Sequence, residues 1–122
     1  MKTSLVHSVN QRLKSFQHAF HGIISLWKTE IHFRIHLVIA CFVLILGWVV
    51  KLELTEWIFI IFAIGFVLGA EAFNSGIERI CNFMCAQQNI NIKVIKDISA
   101  AAVVIATVMA AVAGILIFLP KL

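Results

Sequence analysis

Glu71, Asn74 and Glu78 fall at i, i+3 and i+7 of an otherwise apolar stretch that reads EAFNSGIE. On a helix this spacing puts all three side chains on one face. A carboxylate inside an apolar helix is costly in lipid, and its default reading is functional. With Trp57 at one boundary of a span, a rise of 1.5 Å per residue carries Glu71 roughly 21 Å into a hydrocarbon core of about 30 Å. Glu78 then lies about 10 Å further on, at the opposite interface. A carboxylate at the first depth could take a proton from a lipid hydroxyl, and one at the second could help hold a hard cation.

The two glutamates are too far apart on one helix to chelate a single ion, so Glu78 needs another carboxylate to hold Mg²⁺. Glu30, just before the first apolar segment and on the same side, is the candidate. Lys96 and Asp97 open the last apolar segment on that side too. Lysine binds phosphate as a point charge. Asp97 reads either as part of the nucleotide site or as a helix N-cap. Four of the six acids in the chain (Glu30, Glu71, Glu78 and Asp97) thus collect on one side, while Glu53 and Glu56 read as solvated loop charges on the other.

This constellation fits phosphoryl transfer from ATP, which works through positioning and charge neutralisation around Mg²⁺ and the phosphates. Glu71 would be the base and Asn74 would orient the site. Glu30 and Glu78 would hold Mg²⁺, and Lys96 and Asp97 would contact the nucleotide. Three other readings compete. One is a purely structural polar ladder between helices. Another is a small proton-coupled transporter using Glu71. The third is a non-catalytic membrane subunit. The transporter does not need Glu30, Glu78, Lys96 and Asp97 gathered at one end.

Other motifs carry less. GIISLWKT (Gly22 to Thr29) imitates a P-loop, but Trp27 stands where the second glycine is required and no strand precedes it. His32 and His36 have i,i+4 spacing without a third ligand and read as an interfacial pair. Cys81 and Cys85 lie one helical turn apart with no histidine to complete a zinc site, and Cys41 reads as packing.

The elements that position these residues follow from hydropathy. The 122-residue chain is 61% hydrophobic and 13% charged, with a mean hydropathy of +1.00. Soluble domains carry roughly 25% charged residues. So few charges cannot cover a surface in water, and the expected fold is a single all-α membrane domain over residues 1–122. Residues 10–28 predict an amphipathic interfacial helix, with Phe16, Phe20, Ile23, Ile24 and Trp27 at helical spacing among Arg12, Lys14, His18 and Lys28. Transmembrane helices are expected over 35–50, 57–84 and 96–119. The polar run from Ala86 to Asn91 predicts a loop. Gly65 and Gly69 form a GxxxG pair, which predicts close helix contact.

Basic residues set the expected orientation. Lys2, Arg12, Lys14, Lys28 and Arg34 precede or open the first span, and Arg79, Lys93 and Lys96 lie between the second and third. Only Lys51 and Lys121 lie on the other side, so the N-terminus of this multi-pass chain is expected in the cytoplasm. No cleavable signal is expected at the N-terminus. No nucleic-acid partner is expected.

The segment Glu71 to Glu78 resembles the E-x-x-N-[ST]-x-I-E signature of the small prokaryotic diacylglycerol kinase family, which includes undecaprenol kinases. The resemblance extends to Glu30 with Phe33 and Arg34, and to Lys96-Asp97 before an alanine-rich third span. It implies a homotrimer of subunits with an interfacial helix and three spans, and active sites between neighbouring subunits. It also implies MgATP as phosphoryl donor and a membrane lipid, diacylglycerol or undecaprenol, as acceptor. The first glutamate of the motif is then the base, with the metal on the counterparts of Glu30 and Glu78. Thr29 departs from a common asparagine, Asn82 from a common aspartate and Asn89 from a common histidine. These departures bear on nucleotide contacts more than on the reaction type.

Overall fold

The computed structural model describes residues 1–85 and 87–122. The chain forms α1 (Lys2–Thr29), α2 (Ile31–Val49), α3 (Leu54–Met84) and α4 (Ile90–Phe118), and ends in a 3-10 turn over Leu119–Lys121. All regular structure among the described residues is helical. The segments Ile31–Val49, Leu54–Met84 and Ile90–Lys121 are each long and apolar enough to cross a membrane. At 1.5 Å per residue α2 is about 28 Å long, close to one hydrocarbon core, whereas α3 is about 46 Å and outruns it.

Helix starts differ from the hydropathy reading. α1 begins at Lys2 rather than residue 10, because no glycine or proline interrupts residues 2–9. α4 begins at Ile90 rather than residue 96. Its cap is Asn89, whose Oδ1 accepts from the Asn91 N–H at 2.8 Å. Asp97 is therefore not an N-cap; it lies two turns inside α4. Residues 87–89 are non-helical and Asn91 is already in the helix, while Ala86, where the expected loop begins, lies outside the described residues.

A single extended residue, Glu30 (φ −111°, ψ 107°), separates α1 from α2. Its N–H donates to Leu26 O at 2.9 Å and its carbonyl accepts from Arg34 N at 3.2 Å, so both helices use it as a terminus.

The α2–α3 connector is a Schellman turn. Leu52 N–H donates to Gly47 O at 3.1 Å and Lys51 N–H to Trp48 O at 3.3 Å. Lys51 sits at φ 56°, the left-handed position that glycine usually takes. Gly47 is buried beneath the turn, and a Cβ there would lie 2.8 Å from Leu52 Cδ1 and 3.0 Å from Trp57 Cη2.

Glu53 and Glu56 are not idle loop charges. They form a capping box at the start of α3, in which Glu53 N–H donates to Glu56 Oε2 at 2.9 Å. Lys121 Nζ adds an ion pair to the same Oε2 at 3.1 Å. The hydrophobic core is at this end, where Leu52, Ile60 and Phe118 pack with Val43, Leu46, Trp57 and Ile117.

α3 packs most extensively on α4 and less on α2. Gly65 and Gly69 make no close helix contact within the chain, since a Cβ at either meets nothing within 4 Å. Beside them Phe62, Phe66 and Phe73 are exposed. The GxxxG face of α3 is left open by the other described helices.

Candidate active site

α2 turns Phe33, His36 and Ala40 towards the bundle, at spacings of three and four residues that form one helical stripe. α3 answers with Ile60, Val67, Glu71 and Ser75. Where the stripes meet, Glu71 is 5% exposed, and His36 Nε2 lies 3.2 Å from its Oε1. The acid embedded in the bundle thus faces a polar partner rather than acyl tails. Spacing alone reads His36 as half of an interfacial pair with His32, whereas His32 is exposed and His36 turns inward to Glu71. The signal that could have found it is its place midway between the buried Phe33 and Ala40.

Asn74 is half-buried one turn from Glu71, and its Oδ1 has no hydrogen-bond partner among the described residues. Ser99 Oγ and Thr107 Oγ1 on α4 are in the same state. A buried polar atom without a partner is destabilising, which sets these three side chains apart from the other polar groups of the bundle.

Glu78 is half-buried at the far end of the signature, but the residue that reaches Glu30 is its neighbour Arg79. Arg79 Nη2 lies 3.1 Å from Glu30 Oε1 and also donates to Thr29 Oγ1, while Nη1 donates to Ser25 Oγ at 3.4 Å. One guanidinium therefore ties the α1–α2 joint to α3, using the fork of donors that only arginine has. Sequence reasoning counted Arg79 only as a charge for orientation. No group of three or more His, Cys, Asp or Glu side chains gathers as a metal site among the described residues.

Lys96 Nζ donates to Asn82 Oδ1 at 2.6 Å, joining α4 to the last turn of α3. Asp97 instead pairs with Lys93 one turn earlier, at 2.6 Å on an exposed face. Such exposed i,i+4 pairs contribute little to stability. Glu30, Glu78, Arg79, Lys96 and Asp97 thus share one end of the bundle, with Glu71 and His36 deeper in it. From His36 an apolar cavity of about 540 Å³ runs between α2, α3 and α4 towards Phe118.

Residues 17–118 match the sequence model of the prokaryotic diacylglycerol kinase family. The chain belongs to this family. The match takes in the α1–α2 joint, the signature on α3 and the Lys96-Asp97 pair. The chain is also 38% identical over 116 residues to the undecaprenol kinase of Bacillus subtilis (strain 168), covering 95% of this chain and 94% of that one. As a member of the diacylglycerol kinase family the protein is an enzyme, a lipid kinase.

A kinase of this family must bring a water-soluble phosphoryl donor to a hydroxyl anchored in lipid. His36 lines the apolar cavity and lies 3.2 Å from Glu71, so the buried acid is joined to the cavity through this histidine.

Proposed function

We propose that the protein transfers the γ-phosphoryl group of ATP to the hydroxyl of undecaprenol, with diacylglycerol as the second candidate acceptor. The burial of Glu71 against His36, which lines an apolar cavity, carries this reading. The similarity to an undecaprenol kinase favours the polyprenol.

In this reading Glu71 accepts the proton of the lipid hydroxyl. The lipid oxygen forms a bond to the γ-phosphorus as the bond to the bridging oxygen of ADP breaks. Asn74, with its free Oδ1, orients the reacting groups. Lys96 swings from Asn82 to phosphate oxygens, and Asp97 lies beside it at the nucleotide.

The donor chemistry fits Mg²⁺. Glu30 and Glu78 offer hard carboxylate oxygens at one end of the bundle, and Mg²⁺ needs only one or two carboxylates when phosphates and water complete its shell. Bound there, the ion would neutralise charge on the phosphates. Glu30 must then share or exchange its contact with Arg79.

The basic residues at this end support a cytoplasmic placement, where ATP is available, with α1 lying in the interface. The open GxxxG face and the unpaired Asn74 support assembly as a homotrimer with sites between subunits. Proton-coupled transport by Glu71 alone is the weaker reading, because it leaves Glu30, Glu78 and Lys96 without a role.

The test is transfer of labelled phosphate from ATP to undecaprenol or diacylglycerol by purified protein in micelles. Mg²⁺-dependent product is expected, and its loss in Glu71→Gln and Glu78→Gln. Full activity in both variants, or no product with either lipid, overturns the assignment.

A further inference from the structure

The cavity between α2, α3 and α4 is lined by apolar residues except for His36 and Thr107. Two contacts bracket the antiparallel register of α4 on α3. Lys96 bonds Asn82 at one end, and Lys121 pairs with Glu56 at the other. Eleven residues in from the first pair lead to Glu71 on α3 and Thr107 on α4; fifteen from the second lead to Glu71 and Ala106. Thr107 is therefore level with the buried acid.

A threonine inside a helix normally donates its hydroxyl back to the carbonyl one turn earlier. Ser15 and Thr29 do so here, to Gln11 O and Ser25 O. Thr107 Oγ1 is buried and has no partner among the described residues. An unused donor level with a buried acid, on the wall of an apolar cavity, suits one kind of ligand: an alcohol oxygen at the end of a hydrocarbon chain.

We propose that Thr107 and His36 together aim the acceptor hydroxyl at Glu71. Thr107 donates to the alcohol oxygen of the lipid, while the O–H of that alcohol donates to Glu71. His36 holds Glu71 Oε1, leaving the other carboxylate oxygen for the substrate. Thr107 is thus a substrate-binding residue and His36 a positioning residue acting through Glu71. The inference rests on Glu71 as the base.

The two roles predict different kinetic signatures, read as labelled-phosphate transfer to undecaprenol in micelles. Thr107→Val removes one neutral hydrogen bond and is expected to raise KM for the lipid by up to about tenfold. The change in kcat should be smaller, and Thr107→Ser should recover most of the loss. Thr107→Ala removes the same hydroxyl should valine disturb packing. His36→Leu is expected to lower kcat by about tenfold or more while KM for ATP holds. His36→Gln, whose amide can still donate to Glu71, should recover part of it.

Unchanged lipid KM in both Thr107→Val and Thr107→Ala overturns the inference. So does a His36→Gln variant no better than His36→Leu. If Glu71→Gln is inactive while Thr107 and His36 variants behave as wild type, this inference alone fails. If Glu71→Gln is fully active, the kinase assignment of Glu71 fails first.

Discussion

Arg79 on α3 holds Glu30 at 3.1 Å, and Glu30 is the lone extended residue between α1 and α2. The last turns of α3 thereby set the angle at which α1 leaves the bundle. Arg79 is half exposed, so solvent screens the ion pair and its contribution is that of a few surface contacts, about 1 kcal/mol. Arg79→Ala is expected to lower thermal stability in micelles only slightly. It should markedly raise hydrogen exchange around residues 25–31, whose contacts to α3 are lost. Arg79→Lys should restore little, because an ammonium cannot span Ser25, Thr29 and Glu30 at once. Unaltered exchange in Arg79→Ala would show that other contacts fix the joint.

The same contact bears on the metal. If Glu30 and Glu78 hold Mg²⁺, then Glu30→Gln and Glu78→Gln should each raise the Mg²⁺ concentration for half-maximal rate by about tenfold or more. A chelator should abolish activity, and Mn²⁺ should restore it in the wild type. A Mg²⁺ dependence identical to wild type in both variants would place the metal elsewhere.

Lys96 and Asn82 meet at 2.6 Å without an opposing charge. The lysine is thus held but not neutralised, which suits a phosphate ligand. Lys96→Met should raise KM for ATP by about tenfold and leave KM for the lipid unaltered. Asn82→Asp would place a carboxylate against Lys96 and should hold it more firmly, raising KM for ATP by a smaller factor. An effect of Lys96→Met on the lipid KM alone would rule out the phosphate role.

The connector offers a test of the fold apart from chemistry. Lys51 occupies left-handed backbone, which costs a non-glycine residue about 1–2 kcal/mol. Lys51→Gly should therefore raise the midpoint of thermal unfolding in micelles, less the extra chain entropy of glycine. A lower midpoint would contradict the Schellman turn.

Gly47 tests the packing under that turn. An added methyl would press on Leu52 Cδ1 and Trp57 Cη2, so Gly47→Ala should destabilise by about 1–3 kcal/mol. Leu52→Ala in the same chain should relieve part of this, measured as non-additivity in a double-mutant cycle. Strict additivity would mean the two side chains do not meet.

Much of the protein is legible in its sequence. The three apolar segments are long enough to span on hydropathy alone, and the scarcity of charge excludes a water-exposed surface. The EAFNSGIE spacing put Glu71, Asn74 and Glu78 on one face of a helix, and the same residues carried the family resemblance. These properties depend on composition and on distances along one helix, which the chain carries locally. The GxxxG pair shows only that a close approach is possible, and among the described residues of one chain nothing approaches it.

Tertiary structure decided the rest. That His36 rather than a solvated neighbour meets Glu71, that Arg79 rather than Glu78 reaches Glu30, and that Asn82 receives Lys96 all depend on how each helix is rotated and slid against the next. So does the level of Thr107 beside Glu71. Rotation and register are set by the packing of many side chains at once, at Gly47, Leu52, Ile60 and Phe118 among others. A periodic pattern along one helix marks its buried face but leaves the partner residues on the neighbouring helix undetermined.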